Sequence, residues 1–140
     1  MMSKKLNMVL LIDDSEEDNY VHTKVIKRAG VTDKVVSVQN GYEALDFLSS
    51  KNEESNFPQP DLVFLDINMP GMDGWEFLER YAELPEAQRA KIMVFMLSTS
   101  TNPADIEKAK NNLYAAGYES KPLTVEMLEK VMQHHFPELC

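Results

Sequence analysis

Short apolar runs alternate along this chain with longer segments in which apolar residues recur at helical spacing. The short runs are bounded by polar residues, which is typical of strands buried on both faces of a parallel sheet. The fifth run is the weakest of them. The predicted strands are Met8–Ile12, Lys34–Val38, Asp61–Leu65, Ile92–Leu97 and Ala115–Glu119.

The segments between the strands predict helices, because their apolar residues recur every three or four positions. In the first helix Val21, Val25 and Ala29 form such a series, acidic residues lie at its start, and Gly30 provides a stop. A polar, proline-containing loop is predicted at 51–60. The predicted helices are Ser15–Gly30, Gly41–Ser50, Asp73–Leu84, a helix that begins at Asn102-Pro103 and includes Ile106, Ala109 and Leu113 at helical spacing, and a last helix from Thr124 to about His134 with Leu128 and Val131 inward.

Strict alternation of strands and helices predicts an α/β fold with a doubly wound, five-stranded parallel sheet and right-handed crossovers. In such sheets ligands bind beyond the carboxyl ends of the strands, near the point where strand order reverses. Four polar positions follow directly after predicted strands, and we expect them to meet at one edge. They are Asp13-Asp14, Asp66, Ser98-Thr99 and Lys121.

The three carboxylates among these positions would repel one another if they met. A cluster of Asp13, Asp14 and Asp66 is tolerated where a hard cation lies between the acids or where one of them stays protonated. Oxygen ligands favour Mg²⁺ or Mn²⁺ over zinc. Asp66 can also act as a nucleophile that forms an acyl phosphate. Lys121 and Ser98 can then supply charge and a hydrogen bond to phosphoryl oxygens, so the set predicts phosphoryl transfer.

Composition narrows the possible functions. The chain has 140 residues, of which 14 are basic and 23 are acidic, giving a formal net charge of −9. This charge argues against binding to nucleic acids or to anionic membranes. There is no P-loop or glycine-rich nucleotide motif, so ATP is not expected to bind here as the donor. Cys140 is the only cysteine, which is compatible with a reducing cytoplasm.

Several motifs occur in the order of a known family. They are the acidic pair, the segment 65–74 (Leu-Asp-Ile-Asn-Met-Pro-Gly-Met-Asp-Gly), the Ser98 hydroxyl and Lys121-Pro122. With them the chain resembles the CheY-like receiver domains of two-component response regulators over roughly residues 8–134. The resemblance implies a flavodoxin-like (βα)5 fold with strand order 2-1-3-4-5. It also implies that residues 1–140 form a single receiver domain.

The resemblance implies a role for each site residue. Asp66 would be the phospho-acceptor and, with Asp14, a direct ligand of Mg²⁺. Asp13 would act on the cation through water, and the backbone carbonyl of Asn68 would complete the protein ligands. The groups implied to bind phosphoryl oxygens are the Lys121 ammonium, the Ser98 hydroxyl and the Thr99 amide.

A switch is implied by Tyr118, which lies three residues before Lys121 at the family's aromatic position. Phosphorylation would draw the Ser98 hydroxyl inward and leave room for Tyr118 to rotate from exposed to buried. Simple packing of an edge-strand aromatic is the alternative. The Lys121–Pro122 peptide bond is expected to be cis.

The same resemblance implies the partners. The phosphoryl donor would be a sensor histidine kinase or a histidine phosphotransfer protein. No output domain is expected after the last helix, unless the chain is a fragment, so an unknown output protein would bind the face formed by the fourth helix, fifth strand and fifth helix. A phosphorelay role is the other stand-alone possibility, and the state would be a monomer or a phosphorylation-dependent homodimer.

Two other classes compete with this interpretation. A phosphatase of the haloacid dehalogenase type also places an aspartate nucleophile at a strand end, but it requires a second aspartate two residues later as general acid. Asn68 occupies that position here and cannot transfer the proton. A non-phosphorylated scaffold is the second alternative, although scaffolding requires none of the acids, the lysine or the hydroxyl described above.

Overall fold

A computed structural model of the chain describes residues 5–51, 53–89, 93–98 and 102–139. The described strands form one parallel sheet whose members all run in the same direction. They are β1 (Val9–Ile12), β2 (Val35–Val38), β3 (Leu62–Asp66), β4 (Met93–Ser98) and β5 (Ala115–Ser120). Their order is β2-β1-β3-β4-β5, which confirms the predicted flavodoxin-like topology.

Five α-helices alternate with the strands, as predicted. Their ends differ from the prediction by one or two residues, mainly because Ser15, Asp73 and Thr124 are N-caps that precede the first helical turn. Among the described residues, no helix combines the length and the apolar character needed to cross a membrane. The helices are α1 (Glu16–Ala29), α2 (Gly41–Ser49), α3 (Gly74–Ala82), α4 (Pro103–Asn111) and α5 (Val125–His135), with 3₁₀ turns at Glu86–Gln88 and Pro137–Leu139.

Two hydrophobic cores cover the two faces of the sheet, because successive strand residues point to opposite sides. One core joins the strands to α2, α3 and α4, and the other joins them to α1 and α5. The first contains Leu10, Ile12, Ala44, Leu48, Val63, Leu65, Phe77, Leu78, Tyr81, Met96 and Ala109. The second contains Val9, Leu11, Ile26, Leu62, Phe64, Leu97, Leu128, Val131, Met132 and Phe136.

The buried face of α1 differs from the prediction. Of the predicted series, Val25 and Ala29 are half-buried and pack against the second core, but Val21 is 44% exposed. Ile26, outside that series, is fully buried. The other buried residues of this helix are the polar Asn19 and His22. The buried series therefore begins with two polar residues beneath the sheet edge, and an apolar pattern alone does not reveal it.

The inward face of α4 was only partly predicted correctly. Ala109 is buried and Ile106 is half-buried, but Leu113 is 88% exposed. The helix ends at Asn111, so Leu113 lies in the turn that leads to β5 and no longer follows helical periodicity.

Candidate functional site

The predicted site residues converge at the carboxyl edge of the sheet. Asp13 follows β1, Asp66 ends β3, Ser98 ends β4 and Lys121 follows β5. Asp13 and Asp66 are each 5% exposed and Ser98 is fully buried. Because parallel strands end on the same side, residues far apart in the chain lie together here. Thr99, predicted to bind phosphoryl oxygens through its amide, lies outside the described residues.

Three carboxylates form a compact cluster at this edge. Asp13, Asp14 and Asp66 each offer an oxygen within 4.8 Å of the others, and Asp14 opens the cluster to solvent. Burial, and then the charge of Asp13, raise the pKa of Asp66 to about 6. A hard divalent cation would relieve this repulsion and would match an all-oxygen donor set. The residues present therefore fit Mg²⁺ or Mn²⁺.

Lys121 lies among carboxylates in a nearly buried position, with 10% of its side chain exposed. Its Nζ is 2.6 Å from Asp13 Oδ2, 2.9 Å from Asp18 Oδ2 and 3.6 Å from Asp66 Oδ1. Burial alone would lower the pKa of Lys121, but the hydrogen bonds to Asp13 and Asp18 raise it above its ordinary value. The lysine is therefore a permanent positive charge beside Asp66.

The start of α1 fixes the Asp13 side of the site. The Ser15 backbone N–H donates to Asp13 Oδ1 over 2.9 Å, and the Asp13 N–H donates to the Val38 carbonyl over 3.1 Å. The Asn19 amide donates to the Asp13 carbonyl over 2.9 Å. These bonds connect Asp13 to the start of α1 and to the neighbouring β2, which limits the movement of its side chain and backbone.

The loop between β3 and α3 fixes the Asp66 side. The Gly74 N–H donates to the Ile67 carbonyl over 2.8 Å. A Cβ at Gly74 would lie 2.8 Å from the Ile67 Cα and 2.9 Å from the Asp66 carbonyl oxygen, so only glycine allows this close approach. The helix that Gly74 begins therefore packs directly against the backbone of the predicted phospho-acceptor.

Asn68 connects the predicted nucleophile with the hydroxyl at the end of β4. Its N–H donates to Asp66 Oδ1 over 3.4 Å, and its side-chain amide donates to Ser98 Oγ over 3.4 Å. The Lys121 N–H donates to the Ser98 carbonyl over 2.9 Å. These contacts bring Asn68, Ser98 and Lys121 together around Asp66; the role of the Asn68 carbonyl as a metal ligand stays a prediction.

Three polar residues of α1 belong to the site's surroundings, and the sequence did not identify them. Asp18 pairs with Lys121, and Asn19 binds the Asp13 carbonyl. His22 is buried, and its Nε2 accepts the Leu123 N–H over 3.3 Å. Burial lowers the pKa of His22, which favours the unprotonated Nε2 that this hydrogen bond requires. Asn19 and His22 share the helical spacing of Ile26, which is the one signal that marks them as inward-facing.

Tyr118, the predicted switch residue, lies on β5. It is half-buried and packs against the core that faces α2, α3 and α4. The Lys121–Pro122 peptide bond that follows is cis, as the resemblance implied. Rotation of Tyr118 on phosphorylation stays a prediction.

Comparisons with known proteins agree with this geometry. The family described as response regulator receiver domain matches residues 9–133. Response regulator Rcp1 of Synechocystis sp. is 31% identical over 126 residues, which are 90% of this chain and 84% of Rcp1. A two component response regulator from Cytophaga hutchinsonii superimposes with a TM-score of 0.83 at 31% identity, covering 94% of this chain and 97% of that chain. The Mn²⁺-bound form of Rcp1 gives a TM-score of 0.71 at 27% identity, covering 91% and 92%.

Proposed function

Since this chain belongs to the response regulator receiver family, we propose that it accepts a phosphoryl group on Asp66 with the help of Mg²⁺. The donor is a phosphohistidine of a sensor histidine kinase or of a histidine phosphotransfer protein. The observation that carries this proposal is the position of Asp66, a buried carboxylate inside a three-acid cluster and 3.6 Å from the Lys121 ammonium. Such a combination provides a nucleophile together with the charge that transfer requires.

The transfer needs an ionised Asp66. Its pKa of about 6 leaves it ionised at neutral pH. A carboxylate oxygen attacks the phosphorus, the new P–O bond forms, and the P–N bond to the donor histidine breaks with its electron pair going to the ring nitrogen. Lys121 and the Ser98 hydroxyl bind the oxygens of the transferred group, and the Thr99 amide is expected to bind another. The chain thus catalyses only its own phosphorylation and the later hydrolysis.

A divalent cation contributes positive charge to the phosphoryl oxygens when it is bound. Asp14, Asp66 and the Asn68 carbonyl would hold it directly, and Asp13 through water. The all-oxygen donor set supports Mg²⁺ or Mn²⁺. The Mn²⁺-bound form of Rcp1, a similar protein, lends support to a divalent cation here.

The output is a phosphorylation-dependent change of this chain's surface, which another protein in the cytoplasm recognises and binds. Phosphorylation draws the Ser98 hydroxyl toward Asp66, and Tyr118 moves into the space that this opens. The half-buried position of Tyr118 on β5, between α4 and α5 in the chain, supports this role. The output protein binds the face formed by α4, β5 and α5, and the chain acts as a monomer or as a phosphorylation-dependent homodimer.

The test is intact mass after incubation with acetyl phosphate and Mg²⁺. We expect one labile phosphoryl increment on the wild-type chain and none after addition of EDTA. Asp66→Asn should carry no increment. Asp46→Asn, which makes the same charge change at an exposed site on α2, should be phosphorylated like the wild type.

Two results would contradict the proposal. Absence of any increment, together with failure to bind beryllofluoride in Mg²⁺, would favour a non-phosphorylated scaffold. Turnover of a phosphate ester well beyond one equivalent would instead favour the phosphatase class.

A further inference from the structure

Asp18 competes for the ammonium group that the proposed phosphorylation requires. Lys121 Nζ lies 2.9 Å from Asp18 Oδ2 but 3.6 Å from Asp66 Oδ1. The contact to Asp18 is a hydrogen bond between residues 103 positions apart in the chain. The nearer acids therefore hold the lysine, and the phospho-acceptor is not its main partner.

The position of Asp18 on a helix makes this competition persistent. Asp18 lies in the first turn of α1, where its N–H donates to the Ser15 hydroxyl over 3.1 Å. Its side chain is 40% exposed and reaches the lysine from the rim of the site. Since a capped helix end fixes its backbone, the Cα and Cβ of Asp18 keep a constant place from which the carboxylate reaches Lys121.

Asp18 also differs from Asp13, the other close partner of Lys121. Asp13 belongs to the three-acid cluster, so a cation in that cluster shares its charge. Asp18 lies outside the cluster, so a cation bound there does not compete with Lys121 for the Asp18 carboxylate. A phosphoryl group on Asp66 must then draw the ammonium away from Asp18 and must accept a nearby negative charge.

We propose that Asp18 is a positioning residue that restrains Lys121 and thereby weakens the binding of the phosphoryl group at Asp66. This inference rests on the proposed function, because it concerns the affinity of the same site. Removing the charge of Asp18 should free Lys121 to move toward Asp66. Phosphoryl analogues should then bind more tightly, while the cation alone should bind as before.

The experiment measures the affinity for beryllofluoride, which mimics a phosphoryl group on a carboxylate, by ¹⁹F NMR titration in saturating Mg²⁺. Asp18→Asn keeps the size of the side chain and should bind roughly fivefold more tightly than the wild type, a size that one partly exposed ion pair can supply. Asp18→Ala should also bind beryllofluoride more tightly than the wild type. This second variant allows the prediction to be tested even if Asp18→Asn folds poorly.

Three controls separate this role from general effects. Glu17→Gln removes an exposed charge from the same helical turn, and Asp18→Glu keeps the charge; both should bind beryllofluoride within about twofold of the wild type. The affinity of Asp18→Asn for Mg²⁺ alone, which a loss of folding would lower, should also stay within this range.

The outcomes are distinguishable. Unchanged or weaker binding of beryllofluoride by both uncharged Asp18 variants would overturn the inference, and so would equal tightening by Glu17→Gln. If the wild type binds no beryllofluoride in Mg²⁺, the proposed function fails first and the role of Asp18 fails with it.

Discussion

Asp66 carries a charge where its surroundings oppose one. Burial and the neighbouring Asp13 both raise its pKa, and Lys121 offsets only part of the effect. A raised carboxyl pKa means that the folded chain binds the proton more tightly than the unfolded chain. The contribution of Asp66 to the free energy of unfolding is therefore fully present below its ordinary pKa of 3.8 and is lost as pH rises through about 6.

We predict that Asp66→Asn stabilises the metal-free protein at pH 7.5. The substitution removes the opposed charge, so the free energy of unfolding should rise by about 2 kcal/mol. At pH 3.5, below the ordinary pKa of 3.8, Asp66 is largely protonated in both the folded and the unfolded chain, so the difference between variant and wild type should nearly vanish. Urea unfolding in EDTA at the two pH values measures both quantities.

Asp46→Asn provides the matched control for that comparison. Asp46 is exposed on α2, so its substitution should change the free energy of unfolding by less than about 0.5 kcal/mol at either pH. A variant Asp66→Asn that is less stable than the wild type at pH 7.5 would contradict the buried-charge explanation.

The sequence predicts those site residues that strand ends bring together. Asp13, Asp66 and Lys121 each follow or end a buried apolar run, and the parallel sheet places such positions at one edge. The sequence does not identify Asp18 as a site residue, because an acid in the first turn of a helix is already explained by the helix dipole. Its partner is 103 residues away, and local patterns carry no information about that pairing.

At the scale of elements, periodicity predicts which segments form helices and strands better than it predicts which way a helix faces. The strands are confirmed to within one or two residues. The inner strands β1 and β3 are buried on both sides and have no facing to predict, whereas the edge strands β2 and β5 are only half-buried. In α1 the predicted apolar series is only partly correct, because Val21 is exposed while Val25 and Ala29 are half-buried. The fully buried residues belong to an adjacent, mixed series through His22 and Ile26. Phe136, the C-cap of α5, continues the helical spacing of Leu128 and Met132 and is buried with them in the second core.

The orientation of α1 leads to a direct prediction. Ile26→Ala should lower the free energy of unfolding by about 3 kcal/mol, because Ile26 is fully buried in the core beneath β1 and β3. Val21→Ala, on the exposed side of the same helix, should change it by less than about 0.5 kcal/mol. Urea unfolding of the two variants at pH 7.5 measures the contrast, and equal losses would contradict this orientation of the helix.

At the scale of the whole molecule, the site connects separate parts of the chain. The cluster joins the ends of β1 and β3, while Lys121 joins β5 to α1 through its ion pairs. Only the folded chain assembles these groups, so a cation that binds them favours folding over unfolding. The affinity for the cation should therefore be measurable as stability of the entire fold.

We predict that Mg²⁺ at 100 times its dissociation constant raises the free energy of unfolding by about 2.7 kcal/mol at pH 7.5. At pH 5 the same concentration should stabilise less, because Asp66, with a pKa of about 6, must first release its proton to the solvent. Each pH unit below that pKa weakens binding about tenfold, which removes about 1.4 kcal/mol of the effect. Thermal or urea unfolding at matched ionic strength, with KCl replacing MgCl₂ as the control, separates binding from screening. Equal stabilisation at both pH values, or undiminished stabilisation of Asp66→Asn, would place the cation elsewhere on the acidic surface.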